Sequence, residues 1–513
     1  VPVVQRVIKE VNGLTLTQQE QEIAALDLAP EKKETDRQEL PPLPHAQMGA
    51  VVTRFPPEPN GYLHIGHAKA AVVDSEYARR YEGRFILRFD DTNPAAEKAE
   101  FYEAQREDLR WLGVEWDHEY RTSDNLEKHY QLAERLIESG DAYVCTCSSE
   151  SMKENRRLRR PCACRDSMTS DRWKDFFTMD EGSAVLRLRA DPGSDNTAMR
   201  DPTLFRIIDH PHPVHGTCYR VWPTYDFTGA VEDSLSGVTH PFRTKEYELR
   251  DEVYFYVLER LELRKPHLME FARLSIEGMP VSKRKIKPLI EEKKVQGWDD
   301  PRLPTLRGLA RRGILPEAIR QFVLSQGISK TESVVTFDQV EAINRKLLDP
   351  VTRRYFFVPR PVKLAVAGAP EKKVELAHHP SRDLGSRTLH TRGLFYIPQQ
   401  DAEMLRPGQV FRLKDLYNVE VTKRGREVTG VYAGSQLLPH TPKLQWATDE
   451  HVELEVLVPG PLFTGETFNQ DSLSVVPGYA ESAVGGLHPG DVVQFERFGF
   501  VRMDHDRAVL AHK

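Results

Sequence analysis

The chain reads as a multidomain protein, α/β on a parallel sheet in its N-terminal part and β-rich in its C-terminal part. Three observations predict this. Its 513 residues suggest three or more domains. From Gly49 onward, short β-branched runs alternate with long helical stretches, the pattern of a parallel sheet with ligands at the carboxyl ends of its strands. After Pro350, short Val-, Leu- and Phe-rich runs are separated by Pro407-Gly408, Pro459-Gly460, Pro477-Gly478 and Pro489-Gly490, which predicts turns between the strands of antiparallel sandwiches or barrels.

Taken in order, residues 3–11 and 18–28 are expected to be helical, and 31–44, charged and then Pro-rich, reads as a linker. Val51-Val52-Thr53 opens a strand at 51–55. The prolines and Asn60-Gly61 then force a loop, and His64-Ile65-Gly66-His67 leads into a helix over 68–81. A strand at 85–89 and helices at 94–112 and 125–139 follow. The stretch 141–209 interrupts the alternation, 219–261 returns to it, and a helix-rich segment runs to about 350.

The composition, 39% hydrophobic and 29% charged, is that of an ordinary soluble protein. No apolar run approaches the roughly 18 residues of a membrane helix, and no secretory signal is visible, so a cytoplasmic location is expected. The first residue is Val, so a missing or processed N-terminus is also expected. The net charge of −6 leaves any polyanion to local basic patches, for which Arg156-Arg157-Leu158-Arg159-Arg160 and Arg307-Gly308-Leu309-Ala310-Arg311-Arg312 are candidates.

Of five cysteines, four form Cys145-Thr146-Cys147 and Cys162-Ala163-Cys164, fourteen residues apart. Clustered thiols without a signal peptide favour a metal over disulfides. Four thiolates suit structural zinc, with free thiols or a relic of a lost site as the alternatives. Cys218 stands alone and is expected to be a buried small hydrophobe.

Two imidazoles three residues apart at a strand-to-helix handover suit phosphate, because a helix start offers N–H groups and positive potential. The run Arg54-Phe55-Pro56-Pro57-Glu58-Pro59-Asn60-Gly61-Tyr62-Leu63-His64-Ile65-Gly66-His67 resembles the HIGH signature of class I aminoacyl-tRNA synthetases, in its glutamyl/glutaminyl branch. Met279-Pro280-Val281-Ser282-Lys283-Arg284-Lys285 resembles the KMSKS loop of that class, departing from it at Pro280, Val281 and Arg284. Leu87-Arg88-Phe89-Asp90-Asp91-Thr92-Asn93-Pro94, Met199-Arg200-Asp201-Pro202-Thr203-Leu204-Phe205-Arg206, Pro223-Thr224-Tyr225-Asp226-Phe227 and Gly297-Trp298-Asp299-Asp300-Pro301-Arg302 are similar to further blocks of the branch.

The resemblance implies a Rossmann-type catalytic domain at 48–140 and 210–265, with an acceptor-end-binding insertion carrying the cysteines at 141–209. It implies a KMSKS loop and helical stem-contact domain at 266–350. A β-barrel anticodon-binding region would span 351–513, and 1–47 would be the remnant and linker of a helical N-terminal extension. It implies ATP-dependent adenylation of an amino acid and transfer to the 2′-hydroxyl of the tRNA 3′-terminal adenosine. His64, His67 and Lys283 would be catalytic. Pro56, Glu58, Gly66, Arg273, Leu274 and Ser282 would bind ATP together with those three, Mg2+ being carried by the ATP.

Asp90 resembles the acid that receives the substrate α-amino group, and Tyr225 the aromatic that closes the amino-acid pocket. In Gly237-Val238-Thr239-His240-Pro241-Phe242-Arg243-Thr244-Lys245-Glu246-Tyr247, Arg243 stands where glutaminyl enzymes carry a small uncharged residue. A buried guanidinium pairs with a γ-carboxylate through two hydrogen bonds and is poorly compensated by an amide. Arg54 resembles a second arginine on the same carboxylate, and apolar Leu268 also leans towards glutamate. The chain therefore resembles glutamyl enzymes of archaeal/eukaryotic type, a β-rich tail being part of that type. Arg412-Leu413-Lys414-Asp415-Leu416-Tyr417-Asn418-Val419 and Lys443-Leu444-Gln445-Trp446 are similar to its anticodon region. The resemblance strengthens a structural Zn2+ on Cys145, Cys147, Cys162 and Cys164. It implies L-glutamate and tRNA-Glu as partners, with tRNA-Gln left open, and a monomer is expected. The rivals weighed are a glutaminyl enzyme and a catalytically silent tRNA-binding paralogue.

Overall fold

In the computed structural model the chain divides into two units, residues 1–40 and 41–513. The structure describes residues 11–15, 18, 40–166 and 170–513, and of Ser170 and Lys283 the backbone only. All but the last residue of the expected helix at 3–11, most of that at 18–28 and much of the 31–44 linker lie outside the described residues. In the first unit Thr15 and Gln18 cap each other: Thr15 N donates to Gln18 Oε1 (3.0 Å), and Gln18 N to Thr15 Oγ1 (3.4 Å).

The second unit opens with a parallel sheet of strands β1 (Val52–Phe55), β2 (Arg84–Phe89) and β3 (His118–Arg121), ordered β1-β2-β3. The crossover between β1 and β2 is the Ile65–Arg80 helix, which turns Ile65, Ala68 and Val72 inward onto Phe55, Leu87 and Phe89. It starts three residues earlier than its apolar run suggests, because His64 caps it. The helix expected at 94–112 starts only at Ala99. Residues 93–98 are held as loop instead, Asn93 N donating to the buried Glu97 carboxylate (2.6 Å) and Lys98 N to Pro59 O (3.1 Å).

The interruption is an antiparallel sheet of β4 (Ala142–Cys145), β5 (Val185–Leu188), β6 (Thr203–Ile207) and β7 (Val221–Pro223). Its core holds Trp173, Phe176 and Phe205, with Phe227 of the following helix 4.8 Å from Phe205 between ring centroids. Residue 209, the boundary expected from sequence, thus falls inside this sheet. Strand β7 belongs to it, because its backbone pairs with β6 and not with the parallel strands.

The chain then forms the Tyr225–Leu235 helix, β8 (Phe242–Thr244), the Asp251–Arg260 helix and β9 (Met269–Phe271). Strands β8 and β9 pair in parallel, and Thr239 N and His240 N donate to Val52 O (2.8 and 3.2 Å), which lays this segment beside β1. Helices Lys283–Glu291, Leu306–Arg312, Pro316–Ser325 and Asp338–Leu348 follow.

From Arg354 the chain builds two seven-stranded sheets. They are mixed and not purely antiparallel: Pro361–Ala367 pairs in parallel with Val428–Tyr432, and His451–Pro459 with Arg507–His512. Pro477-Gly478, expected to be a turn, lies within the strand Leu473–Glu481. A Cβ on Gly478 would stand 2.4 Å from the Phe357 ring, so this glycine makes room for an aromatic from the neighbouring strand. Leu462 packs with Ile286 and Leu289 of the Lys283–Glu291 helix, tying the C-terminal sheets to it.

The second expected basic patch is not a free cationic surface. Arg307 pairs with Glu107 and Asp108, Arg311 with Asp299 and Asp504, and buried Arg312 with Glu341. In the first patch Arg157 and Arg159 are exposed, on Glu154 and Asp195. No helix among the described residues is long and apolar enough to cross a membrane.

Candidate active site and metal centre

His64 and His67 are locked together at the start of the Ile65–Arg80 helix. Gly66 N and His67 N donate to His64 Nδ1 (3.1 and 3.4 Å), while His64 N donates to His67 Nδ1 (3.2 Å). The rings stack with centroids 3.7 Å apart. Both Nδ1 atoms accept, so in each neutral ring the proton sits on Nε2. The pair thereby presents N–H donors at the positive end of a helix.

The tertiary fold brings the second landmark onto the first. A Cβ on Gly66 would lie 3.0 Å from Val281 Cγ1 and 3.0 Å from the His64 ring, so Gly66 is where the two motifs touch. Arg273 Nη2 donates to Val281 O (2.7 Å), holding the second loop by its backbone. Ser282 stands at the N-cap position of the Lys283–Glu291 helix, without a side-chain capping bond, which puts Lys283 at its first turn. Leu274 is buried and Arg273 half-exposed, its other arm on Glu246 (3.1 Å). On the opposite side Ile65 N donates to Pro304 O and Leu306 N to Leu63 O (both 2.9 Å), clamping the HIGH segment against the helical domain. In the lead-in loop Pro56 and Glu58 are partly exposed, and Glu58 O accepts from Asn60 N (2.8 Å) and Gln105 Nε2 (3.0 Å).

A second cluster lies at the carboxyl ends of β1, β2 and β8, where a parallel sheet offers a crevice. Asp90 accepts from Arg88 Nε and from the Thr122 hydroxyl, both at 2.8 Å. Arg243 is 4% exposed and lies over the rings of Tyr254 (5.2 Å) and Tyr247 (5.9 Å). Its Nη2 bonds Asp251 and Tyr247 O, while its buried Nε has no hydrogen-bond partner. Tyr225 stands 4.8 Å from Tyr247 between centroids, with its ring folded over Gly229. Burial pushes its phenol up to about 12, so it stays protonated.

Arg54 is almost wholly enclosed. Its Nε and Nη2 bind the two Asp233 oxygens (2.9 and 3.0 Å), and Nη1 donates to Phe242 O (2.8 Å). Burial opposes its charge, but the pair with Asp233 wins and holds its pKa above the ordinary value. Burial likewise opposes the Asp233 carboxylate, and Arg54 and Arg88 hold it below the usual range.

Sequence reasoning missed Asp233, Arg88 and Tyr254. Arg88 carried a signal, being a charged residue inside the apolar run Phe85-Ile86-Leu87-Arg88-Phe89, where only a paired charge is tolerated. Asp233 carried none, because its partners come from β1, β2 and the Asp251–Arg260 helix.

The four clustered cysteines meet at the end of β4. Their sulfurs all lie within 4.8 Å of one another, with Cys147–Cys162 at 3.1 Å, Cys145–Cys162 at 3.5 Å and Cys147–Cys164 at 3.8 Å. A tetrahedral zinc with bonds of about 2.3 Å needs sulfurs about 3.8 Å apart, so the donor set fits. Burial would raise the Cys164 thiol, but hydrogen bonds from Thr146 and the neighbouring thiols bring it to about 7. The hydrogen bond with Cys162, followed by burial, pushes Cys147 up. A divalent cation would favour all four as thiolates. Purified protein is expected to carry about one zinc per chain, and metal analysis finding none would remove the centre. Cys218, expected to be buried, is exposed, since it follows the tight His212–Gly216 turn on the surface.

Comparison with known proteins matches residues 50–350 to the catalytic domain of class I tRNA synthetases (E and Q). Residues 352–434 and 443–504 match two anti-codon binding domains of the same group. The chain is 45% identical to a protein of Cenarchaeum symbiosum named glutamate--tRNA ligase, over 99% of this chain and 91% of that one. The proteins of that name from Nitrosopumilus maritimus and Pyrococcus abyssi are 45% and 42% identical, over 99% and 100% of this chain and 91% and 92% of theirs. Two motifs meeting at Gly66, a parallel sheet leading into the first of them and a matched catalytic domain place this chain in the class I tRNA synthetase family of the E and Q branch, to which it belongs.

Proposed function

We propose that the chain is a glutamate–tRNA ligase, joining L-glutamate to tRNA-Glu through a glutamyl-adenylate. The contact of Val281 with Gly66 supports this reading, because it brings the segment that carries Ser282 and Lys283 up to the HIGH motif at a helix start. The relatives named above support glutamate, as does the buried Arg243 guanidinium.

In the first step an oxygen of the glutamate α-carboxylate forms a bond to the α-phosphorus of ATP, and the bond to the bridging oxygen of pyrophosphate breaks. The carboxylate is ionised at neutral pH, so no general base is required. Catalysis is positioning plus charge stabilisation. The Nε2–H groups of His64 and His67 donate to phosphate oxygens as their charge rises, and Lys283 adds a mobile point charge for the departing pyrophosphate. Pro56, Glu58, Gly66, Arg273, Leu274 and Ser282 line the nucleotide. Mg2+ carried by ATP would supply neutralisation of phosphate charge. In the second step the 2′-hydroxyl of the tRNA 3′-terminal adenosine attacks the mixed anhydride carbonyl, and AMP leaves.

Asp90 takes the substrate α-amino group, Tyr225 covers the pocket, and Arg243 with Arg54 faces the γ-carboxylate. The antiparallel sheet β4–β7, its cysteines holding structural zinc, grips the acceptor end. The two C-terminal sheets read the anticodon by stacking and hydrogen bonding to splayed bases. The working state is a cytoplasmic monomer.

The test is charging of purified tRNA-Glu and tRNA-Gln with labelled glutamate and, separately, labelled glutamine. Glutamate on tRNA-Glu is the expected result; glutamate on both tRNAs would mark a non-discriminating enzyme. Glutamine on tRNA-Gln would overturn the reading of Arg243.

A further inference from the structure

We propose that Asp233 is the positioning residue of the amino-acid pocket, aligning the groups that meet both charged ends of the substrate. The inference rests on the glutamate reading above. Asp233 lies on the Tyr225–Leu235 helix with no side-chain exposure, so it acts through its neighbours and touches no substrate atom.

Its carboxylate is filled by four donors. Oδ1 accepts from Arg54 Nε (2.9 Å) and Arg88 Nη1 (2.8 Å), and Oδ2 from Arg54 Nη2 (3.0 Å) and the Tyr254 hydroxyl (3.0 Å). Four is about the full accepting capacity of a carboxylate. The three residues that supply these donors lead to different parts of the pocket. Arg54 is gripped along one edge, which fixes the plane of its guanidinium. Arg88 uses its other nitrogens on Asp90, setting the acid for the α-amino group. Tyr254 is the ring beneath Arg243, so its hydroxyl bond holds the plate on which that guanidinium rests. The helix end is itself tied down, with Arg264 Nη2 donating to Asp233 O (3.1 Å) and Val238 O (2.6 Å).

One carboxylate therefore sets the spacing between the group for the amino end and the two guanidinium groups for the side-chain end. That spacing measures the length of a dicarboxylic amino acid. A residue serving only the fold would stabilise the helix against the sheet without favouring glutamate over the shorter aspartate.

The experiment uses the full chain with its tRNA, and compares wild type, Asp233→Asn and Tyr254→Phe in ATP–pyrophosphate exchange. In Asp233→Asn an amide N–H2 faces an arginine. The expected result is a rise in glutamate KM of about tenfold or more, from the loss of charge-assisted hydrogen bonds. ATP KM should stay within about twofold, and the preference for glutamate over aspartate should fall. Tyr254→Phe removes one bond and keeps the packing, so the same KM should rise about threefold to fivefold. Tyr254→Phe decides alone if Asp233→Asn does not fold. Glutamate KM unchanged in the variants that fold, or rising in step with ATP KM and a falling melting temperature, would overturn the inference. Wild type that fails to activate glutamate would instead overturn the glutamate reading, and this inference with it.

Discussion

Replacing Arg243 by Cys is expected to abolish most glutamate charging, with kcat/KM for glutamate falling by roughly a hundredfold or more. The magnitude follows from removing one partner of a buried charge pair, which costs about 2–5 kcal/mol, and each 1.4 kcal/mol is about tenfold. Arg243 is nearly enclosed, backed by two tyrosine rings, and its Nε is a buried donor still lacking an acceptor. Leaving such a donor without a partner costs about 1–3 kcal/mol, which a γ-carboxylate in reach would relieve and a neutral amide would relieve less well. Asp251, which loses its partner in the variant, is partly exposed and can be solvated. The loss should therefore appear in glutamate kinetics with ATP KM little changed. Charging that survives at the wild-type level would sink the assignment of the pocket.

Lys283→Ala is expected to slow adenylation by about 10²–10³-fold, the usual effect of removing a group that stabilises charge developing in a transition state. Lys283 occupies the first position of the Lys283–Glu291 helix, directly after Ser282 at the N-cap position and two residues beyond the contact with Gly66. Alanine is at least as good a helix former as lysine, so the element should persist. Affinity for tRNA should stay nearly intact, because the matched anti-codon binding domains lie elsewhere in the chain, at 352–434 and 443–504. Single-turnover adenylation together with tRNA binding checks this, and equal loss of both would point to a folding defect.

Much of the site was legible as residue types at fixed spacing. His64 and His67 announce themselves because an i, i+3 pair at a strand-to-helix handover must lie on one face of a helix start. The cysteine pairs were legible because Cys-x-Cys repeated after a short loop brings four sulfurs within a few ångströms. The parallel sheet followed from strand–helix alternation, and β1, β2 and the helix between them lie within a few residues of the expected positions.

What was misread shares one cause. Pro477-Gly478 looked like a turn because local chemistry favours one, but Phe357 on the neighbouring strand needs the space that a glycine leaves. Arg307, Arg311 and Arg312 looked like a cationic patch because their acidic partners lie far away in sequence. Residues 219–261 read as a return to the parallel pattern, yet β7 pairs with β6, because a strand carries no record of which edge it will meet.

The sequence by itself determined which candidate groups there are and on which local elements they stand: the paired imidazoles at a helix start, the four thiols, and the arginine proposed to meet glutamate. Only the tertiary structure decided how those groups are set relative to one another. Val281 closes on Gly66, and Asp233 gathers Arg54, Arg88 and Tyr254, through contacts between segments distant in the chain. Local propensity acts over a turn or two of backbone, whereas the direction of a buried guanidinium is set by whichever carboxylate the folded core brings to it.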